Sequence, residues 1–212
     1  LPIYPPDIGG PATYAKALVD ELPKRKISVA VASFGDVRRL PKGLAHVVYA
    51  LKLFFALRDV DLLLALDPVS VGLPAVIVAM LCRKKVIVRV AGDYAWEQGT
   101  QRWKVRDTLD DFAKSYKKHP WQVKILKKVE KYVADCAHAI VTPSNYLKGI
   151  ISNWGVDGSK IKVIYNGMRL PDTKVTKTIL RKRLGLNGFV IISVARLVPW
   201  KGFPALIDAF SE

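Results

Sequence analysis

Short, nearly continuous runs of Val, Ile and Leu alternate along this chain with longer stretches whose apolar residues recur at helical spacing. Of the runs at 61–66, 85–91, 138–142 and 161–165, several are nearly continuous Val, Ile and Leu, the pattern of strands covered on both faces. Further strands are expected at 28–34, 46–49 and 188–194. Helical patterns fall at 11–24, 69–82, 121–134, 145–154, 177–184 and 204–210. Such alternation predicts the α/β class: a Rossmann-like doubly wound parallel sheet, then the first strand–helix unit of a second such domain.

Half of the residues are apolar and 25% are charged, so the chain can build a packed core and is not a disordered segment. The turn pair Asn166-Gly167, followed by Leu170-Pro171-Asp172, marks a boundary. We read 1–165 as one domain, 166–176 as a linker and 177–212 as the opening of a second domain. Leu1 to Pro6 reads as the loop after a first strand that is itself absent, and the chain stops in mid-helix. A piece of a longer protein is therefore expected. The apolar run 69–82 falls short of the roughly 20 residues a spanning helix needs, and Gly72 and Pro74 interrupt it. Cys82 and Cys136 match no metal or redox spacing and read as buried thiols in a reducing cytosol.

The formal net charge of +16 points to anionic partners. Aromatic residues are not interleaved with the basic ones and no zinc-finger, RNP or basic-zipper pattern occurs, so specific nucleic-acid binding is not expected. Residues 101–131 carry ten Lys or Arg against four Asp or Glu. Within 121–134, Val123, Leu126, Val129 and Val133 define an apolar face, with Lys124, Lys127, Lys128 and Lys131 mostly off it. This is a surface helix with a solvated basic face, or one that meets anionic lipid headgroups at roughly 1 kcal/mol per basic residue.

Two segments carry the chemistry. In Ser193 to Phe203, Arg196 and Lys201 fall in the turn expected between a strand's C-terminal end and a helix N-terminus, where open α/β sheets hold anionic ligands. Arginine suits bidentate phosphate contact and lysine a point-charge contact; two solvated surface cations are the alternative. Gly9-Gly10-Pro11 opens a helix and permits close backbone approach by a phosphate, or simply forms a tight junction. Neither a GxGxxG nor a P-loop is present. His46, His119 and His138 have no ligand spacing, and Asp107, Asp110 and Asp111 read as a solvated turn. No metal site is expected.

Gly9-Gly10, the pair Thr142-Pro143-Ser144-Asn145-Tyr146 and Val163-Ile164-Tyr165-Asn166-Gly167, and Val194-Ala195-Arg196-Leu197 with Lys201-Gly202 together resemble glycosyltransferase family 4, from Pro5 to the end of the chain. The resemblance implies a retaining, metal-independent enzyme of the GT-B fold without a cofactor, its donor a nucleotide-sugar substrate. Arg196, Lys201, Gly9 and Gly10 would bind the donor diphosphate, although Gly9 and Gly10 face the acceptor in an alternative assignment. Asn166 and Gly167 would be the hinge. The acceptor would be a saccharide or lipid-linked sugar, the setting cytoplasmic or at the inner membrane face, with an anionic membrane surface as a further partner. Relatives carry a Glu-x7-Glu pair that would lie beyond Glu212, so the 212-residue piece is expected to be inactive alone.

After the 85–91 strand, many relatives have a His-Gly-type pair, where this chain reads Gly92-Asp93-Tyr94-Ala95-Trp96-Glu97. Asp93 is the candidate for the catalytic neighbourhood, with Tyr94 and Glu97 as acceptor contacts; a solvated loop with an aromatic plug is the alternative. Two rivals to a hexosyltransferase stay open: another Rossmann-like sugar-nucleotide enzyme such as an epimerase, and a non-catalytic basic module for membrane or nucleic acid.

Overall fold

The computed structural model describes residues 1–115, 119–167 and 175–211. The chain divides into two compact units, Leu1–Asn166 and Gly167–Glu212. The first is an α/β unit around a parallel sheet whose four strands follow sequence order: β1 (Leu62–Ala65), β2 (Lys85–Arg89), β3 (Ala139–Thr142) and β4 (Ile161–Val163). Register pairs Leu62 with Lys85, Ile87 with Ala139 and Ile140 with Ile161. Two helices, α1 (Gly10–Glu21) and α2 (Lys42–Ala56), precede β1, and the crossovers that parallel neighbours require are supplied by α3 (Gly72–Leu81), then α4 (Tyr94–Arg102), α5 (Leu109–Lys114) and α6 (Trp121–Cys136), then α7 (Asn145–Ser152).

Burial explains the apolar runs. Val86, Val88 and Val90 leave β2 in one direction, Ile140 leaves β3, and Val76 of α3, Val133 of α6 and Ile151 of α7 close the same core; all are fully buried. Each such side chain contributes about 1.5–3 kcal/mol. Among the described residues no helix is long and apolar enough to cross a membrane.

Three expected strands are not formed. His46–Tyr49 lies inside α2, because Ala45, Tyr49, Leu53 and Leu57 recur at helical spacing and are all buried. Residues 28–34 take no strand pairing, apart from two backbone bonds to Leu1, because no described strand lies against them. Residues 188–194 are likewise unpaired in the second unit, with Phe189 83% and Val194 91% exposed. That unit contains α8 (Lys177–Arg183) and α9 (Phe203–Ser211). Of the expected linker, residues 168–174 lie outside the described residues. Cys82 and Cys136 are half-buried, at the ends of α3 and α6, where full burial was expected.

Candidate functional site

In a parallel sheet the ligand edge is the one at the strands' carboxyl ends. Here that edge carries Asp67 after β1, Gly92–Tyr94 after β2, Ser144 after β3 and Asn166 after β4.

Most of the helix N-termini at this edge already hold a protein side chain. Asp67 Oδ1 accepts from the Val69 and Ser70 N–H groups ahead of α3. Ser144 Oγ accepts from Leu147 N–H at 3.2 Å in α7. The start of α4 is held by two carboxylates: Asp93 Oδ1 accepts from Trp96 N–H at 2.8 Å, and Glu130 Oε1, from α6, accepts from Tyr94 N–H at 2.7 Å. Helix α1 differs. It opens on Gly9 and Gly10 with no side-chain cap and no acidic residue in its first turn, and Gly10 is exposed. A methyl group at Gly10 would meet nothing within 4 Å, whereas at Gly9 it would press on the flexible tip of Ile3. A helix N-terminus without a side-chain cap or acidic first-turn residue favours an anion through its dipole.

Arg89 ties this helix to the rest of the edge. It ends β2, is only 5% exposed, stacks over the Tyr14 ring at 4.0 Å and donates to Asn166 Oδ1 at 2.8 Å. Tyr14 stands one turn above Gly10 on α1. One guanidinium therefore joins α1, β2 and the last residue of the first unit. Sequence reading passed over Arg89 because it closes an apolar run; its place at a strand's carboxyl end was the available signal.

Asp93, the candidate for the catalytic neighbourhood, is 2% exposed. Its Oδ2 accepts from the Trp154 indole N–H at 3.1 Å, so both oxygens are engaged and the carboxylate organises the loop. Burial pushes its pKa up, opposed by the Trp96 and Trp154 hydrogen bonds. Glu130 is fully buried and lies well above the usual carboxylate range, first from burial and then from the charge of Asp93. Its Oε2 has no hydrogen-bond partner among the described residues. Tyr94 and Glu97 are half-buried on α4, and Glu97 folds back over Gly92, with Oε1 3.0 Å from where a Gly92 Cβ would stand. Residues 94–97 thus form a capped helix turn, not the solvated loop of the alternative reading.

Asp107, Asp110 and Asp111, expected as a solvated turn, have individual partners. Asp107 pairs with buried His119 at 2.7 Å, while Asp110 and Asp111 lie in the first turn of α5, where the helix dipole favours them. Among the described residues no three His, Cys, Asp or Glu side chains group as a metal site.

In the second unit, Lys201 closes a single 3-10 turn, Gly202 takes a left-handed φ of 68°, and α9 follows at once. Arg196 lies in the irregular stretch before it, its carbonyl accepting from Val198 N–H at 2.9 Å. The helix is as expected; among the described residues the preceding stretch 188–194 forms no strand.

Comparison with solved structures finds the same fold in crystal structures of Anabaena HepE. With the complex with UDP the TM-score is 0.59 at 21% identity, over 92% of this chain and 46% of HepE. With the UDP-glucose complex it is 0.61 at 21% identity, over 93% and 46%. The chain thus spans a little under half the length of these neighbours. No curated protein sequence matches it. The Glycosyltransferase Family 4 model matches residues 8–170, starting one residue before the glycine pair that opens α1 and running past Asn166. A match over most of the chain, on a sheet and edge of this kind, settles the family: the chain belongs to Glycosyltransferase Family 4.

Proposed function

We propose that this chain supplies the acceptor-binding domain (1–165), the hinge and linker (166–176) and the opening of the donor-binding domain (177–212) of a retaining GT-B hexosyltransferase. The enzyme moves a hexose from a UDP- or GDP-sugar to a saccharide or lipid-linked acceptor, without metal or cofactor. The observation that carries this reading is the carboxyl edge of the sheet. Its neighbouring helix ends are filled by Asp67, Asp93, Glu130 and Ser144, while α1 opens on Gly9-Gly10 with no side-chain cap.

Transfer breaks the bond between the sugar and the donor diphosphate, and negative charge grows on the departing phosphate. Arg196, through a bidentate contact, and Lys201, through a point charge, stabilise that charge. Gly9 and Gly10 bring backbone N–H groups to a donor phosphate. Tyr94 and Glu97 meet the acceptor, and Asp93 keeps their helix in place as a positioning residue. UDP in the neighbouring structures supports the donor class.

The exposed side of α6 supports a membrane-surface setting for the acceptor. Trp121, Ile125 and Tyr132 are 68%, 49% and 44% exposed along one side of the helix, beside Lys124 and Lys128. An apolar and basic stripe suits peripheral contact with anionic lipid at the cytoplasmic face.

Equilibrium binding of UDP, GDP and the free nucleosides tests the donor reading. The diphosphates should bind and the nucleosides should not, and Arg196→Ala or Lys201→Ala should weaken binding about tenfold. Nucleosides binding as well as diphosphates would overturn it.

A further inference from the structure

A helix packed by one side on a core is expected to turn polar residues to solvent. Helix α2 does not. Its buried side is Ala45, Tyr49, Leu53 and Leu57. Its opposite side carries Leu44, Val47, Leu51, Phe54 and Phe55 at three- and four-residue spacing, between 38% and 59% exposed. Helix α3 lies against α2 and adds Ile77, Met80 and Leu81, the last 72% exposed. Both helices bury their other side in the same core, so the two apolar faces look outward together.

Neither helix contains an acidic residue, and cations gather at one end of the pair. Helix α2 leads to β1 and α3 to β2, and these strands are parallel, so both helices end at the strands' amino side, away from the ligand edge. There the Arg58 guanidinium stands over the Phe55 ring at 5.3 Å, and Arg83-Lys84-Lys85 follows the end of α3. Arg83 closes α3 in a Schellman turn, its N–H on Met80 O and the Lys84 N–H on Ala79 O. Its left-handed φ of 53° would favour glycine, yet a cation stands there. The acidic residues nearest in sequence are Asp36, paired with Lys52, and Asp59 and Asp61, just beyond Arg58.

We propose that the outer face of α2 and α3 docks on an anionic lipid bilayer. Leu51, Phe54, Phe55, Met80 and Leu81 enter the acyl boundary, while Arg58, Arg83, Lys84 and Lys85 meet the headgroups. An apolar face edged by basic residues is how interfacial helices bind, and α2 and α3 do not span the bilayer. Charge separates this occupant from a second copy: a chain of net charge +16 repels its like and is drawn to an anionic surface. The inference extends the membrane-surface reading of α6 to different residues, and the two fail separately.

The test is co-sedimentation with vesicles of phosphatidylcholine and phosphatidylglycerol, beside vesicles of phosphatidylcholine alone. The chain should partition onto the anionic vesicles at least tenfold better. Phe55→Ser with Leu81→Ser should reduce that partition about a hundredfold, at about tenfold for each inserted side chain. Arg83→Gln with Lys84→Gln should reduce it about thirtyfold, and neither pair should lower the melting temperature by more than a few degrees. Phe55→Trp should add fluorescence that acyl-chain-brominated lipids quench, which headgroup contact alone would not give. Wild-type partition by both pairs overturns the proposal, even where Trp121→Ala with Lys128→Glu abolishes sedimentation; α6 would then be the contact. Equal binding to neutral vesicles, or none to either, overturns it as well. So does self-association of the lipid-free chain that Phe55→Ser with Leu81→Ser removes, which would make a second copy the occupant.

Discussion

Replacing Glu130 by Gln should leave α4 intact and remove a pH dependence that the wild-type fold carries. Glu130 Oε1 accepts from Tyr94 N–H at 2.7 Å and from Ala95 N–H at 3.3 Å, and a glutamine carbonyl keeps both bonds. The folded protein holds the Glu130 proton to higher pH than the unfolded chain does, because burial and the charge of Asp93 raise its pKa. The sign follows from linkage: stability is fully present below the unfolded value near 4.5 and is lost as pH rises through the folded pKa. Within that window one proton is worth about 1.4 kcal/mol per pH unit. Asp93 is shifted in the same direction, so wild type falls with pH at least this steeply where both groups titrate. Urea midpoints measured from about pH 5 to about pH 8 should decline for wild type and flatten by one proton's slope in Glu130→Gln. Glu130→Ala loses both bonds and the packing of the chain beneath them, at about 2–4 kcal/mol near pH 5, and the difference narrows as pH rises because the variant has no Glu130 proton to release. Equal slopes for wild type and Glu130→Gln would refute the reasoning.

Asp93→Asn should behave differently, since both Asp93 oxygens accept and an amide NH2 would face a donor; a loss of about 1–3 kcal/mol in urea unfolding is expected. Gly10→Asp places a carboxylate on the open end of α1, which should raise stability by about 0.5 kcal/mol through the helix dipole while lowering affinity for UDP; calorimetry and nucleotide binding read the two effects. Gly72→Ala should destabilise strongly, because its Cβ would stand 2.5 Å from the Asp67 carbonyl oxygen, which backbone cannot easily yield; the melting temperature checks this. Trp121→Ala with Lys128→Glu should reduce sedimentation with anionic vesicles and leave the melting temperature nearly unchanged, both side chains being exposed.

Some of this was legible in the residues alone. The strands β1 to β4 lie within their predicted runs, most clearly β2 and β3, whose Val and Ile positions are buried or half-buried along the strand. Helix α2 was not legible as a helix over 46–49, since a window of four apolar residues hides the longer spacing of Ala45, Tyr49, Leu53 and Leu57. The strands expected at 28–34 and 188–194 have the right composition, but pairing is a property of neighbours and no composition supplies one. Glu130 was passed over, as one acidic residue in a lysine-rich helix. Its register with Val123 and Val133, on the side that packs against α4, was the signal that it is buried. Gly9-Gly10 was found because glycines before a helix are visible in any sequence. Arg89 was not, because only the fold brings Tyr14 and Asn166 to it.

If Arg196 and Lys201 hold a nucleotide diphosphate, as proposed, titrating the chain with UDP should shift the amides of Arg196, Lys201 and Gly202. Uridine should not shift them, and Lys201→Ala should remove most of the effect. No shift in these residues with millimolar UDP, or equal shifts with uridine, would contradict the proposal.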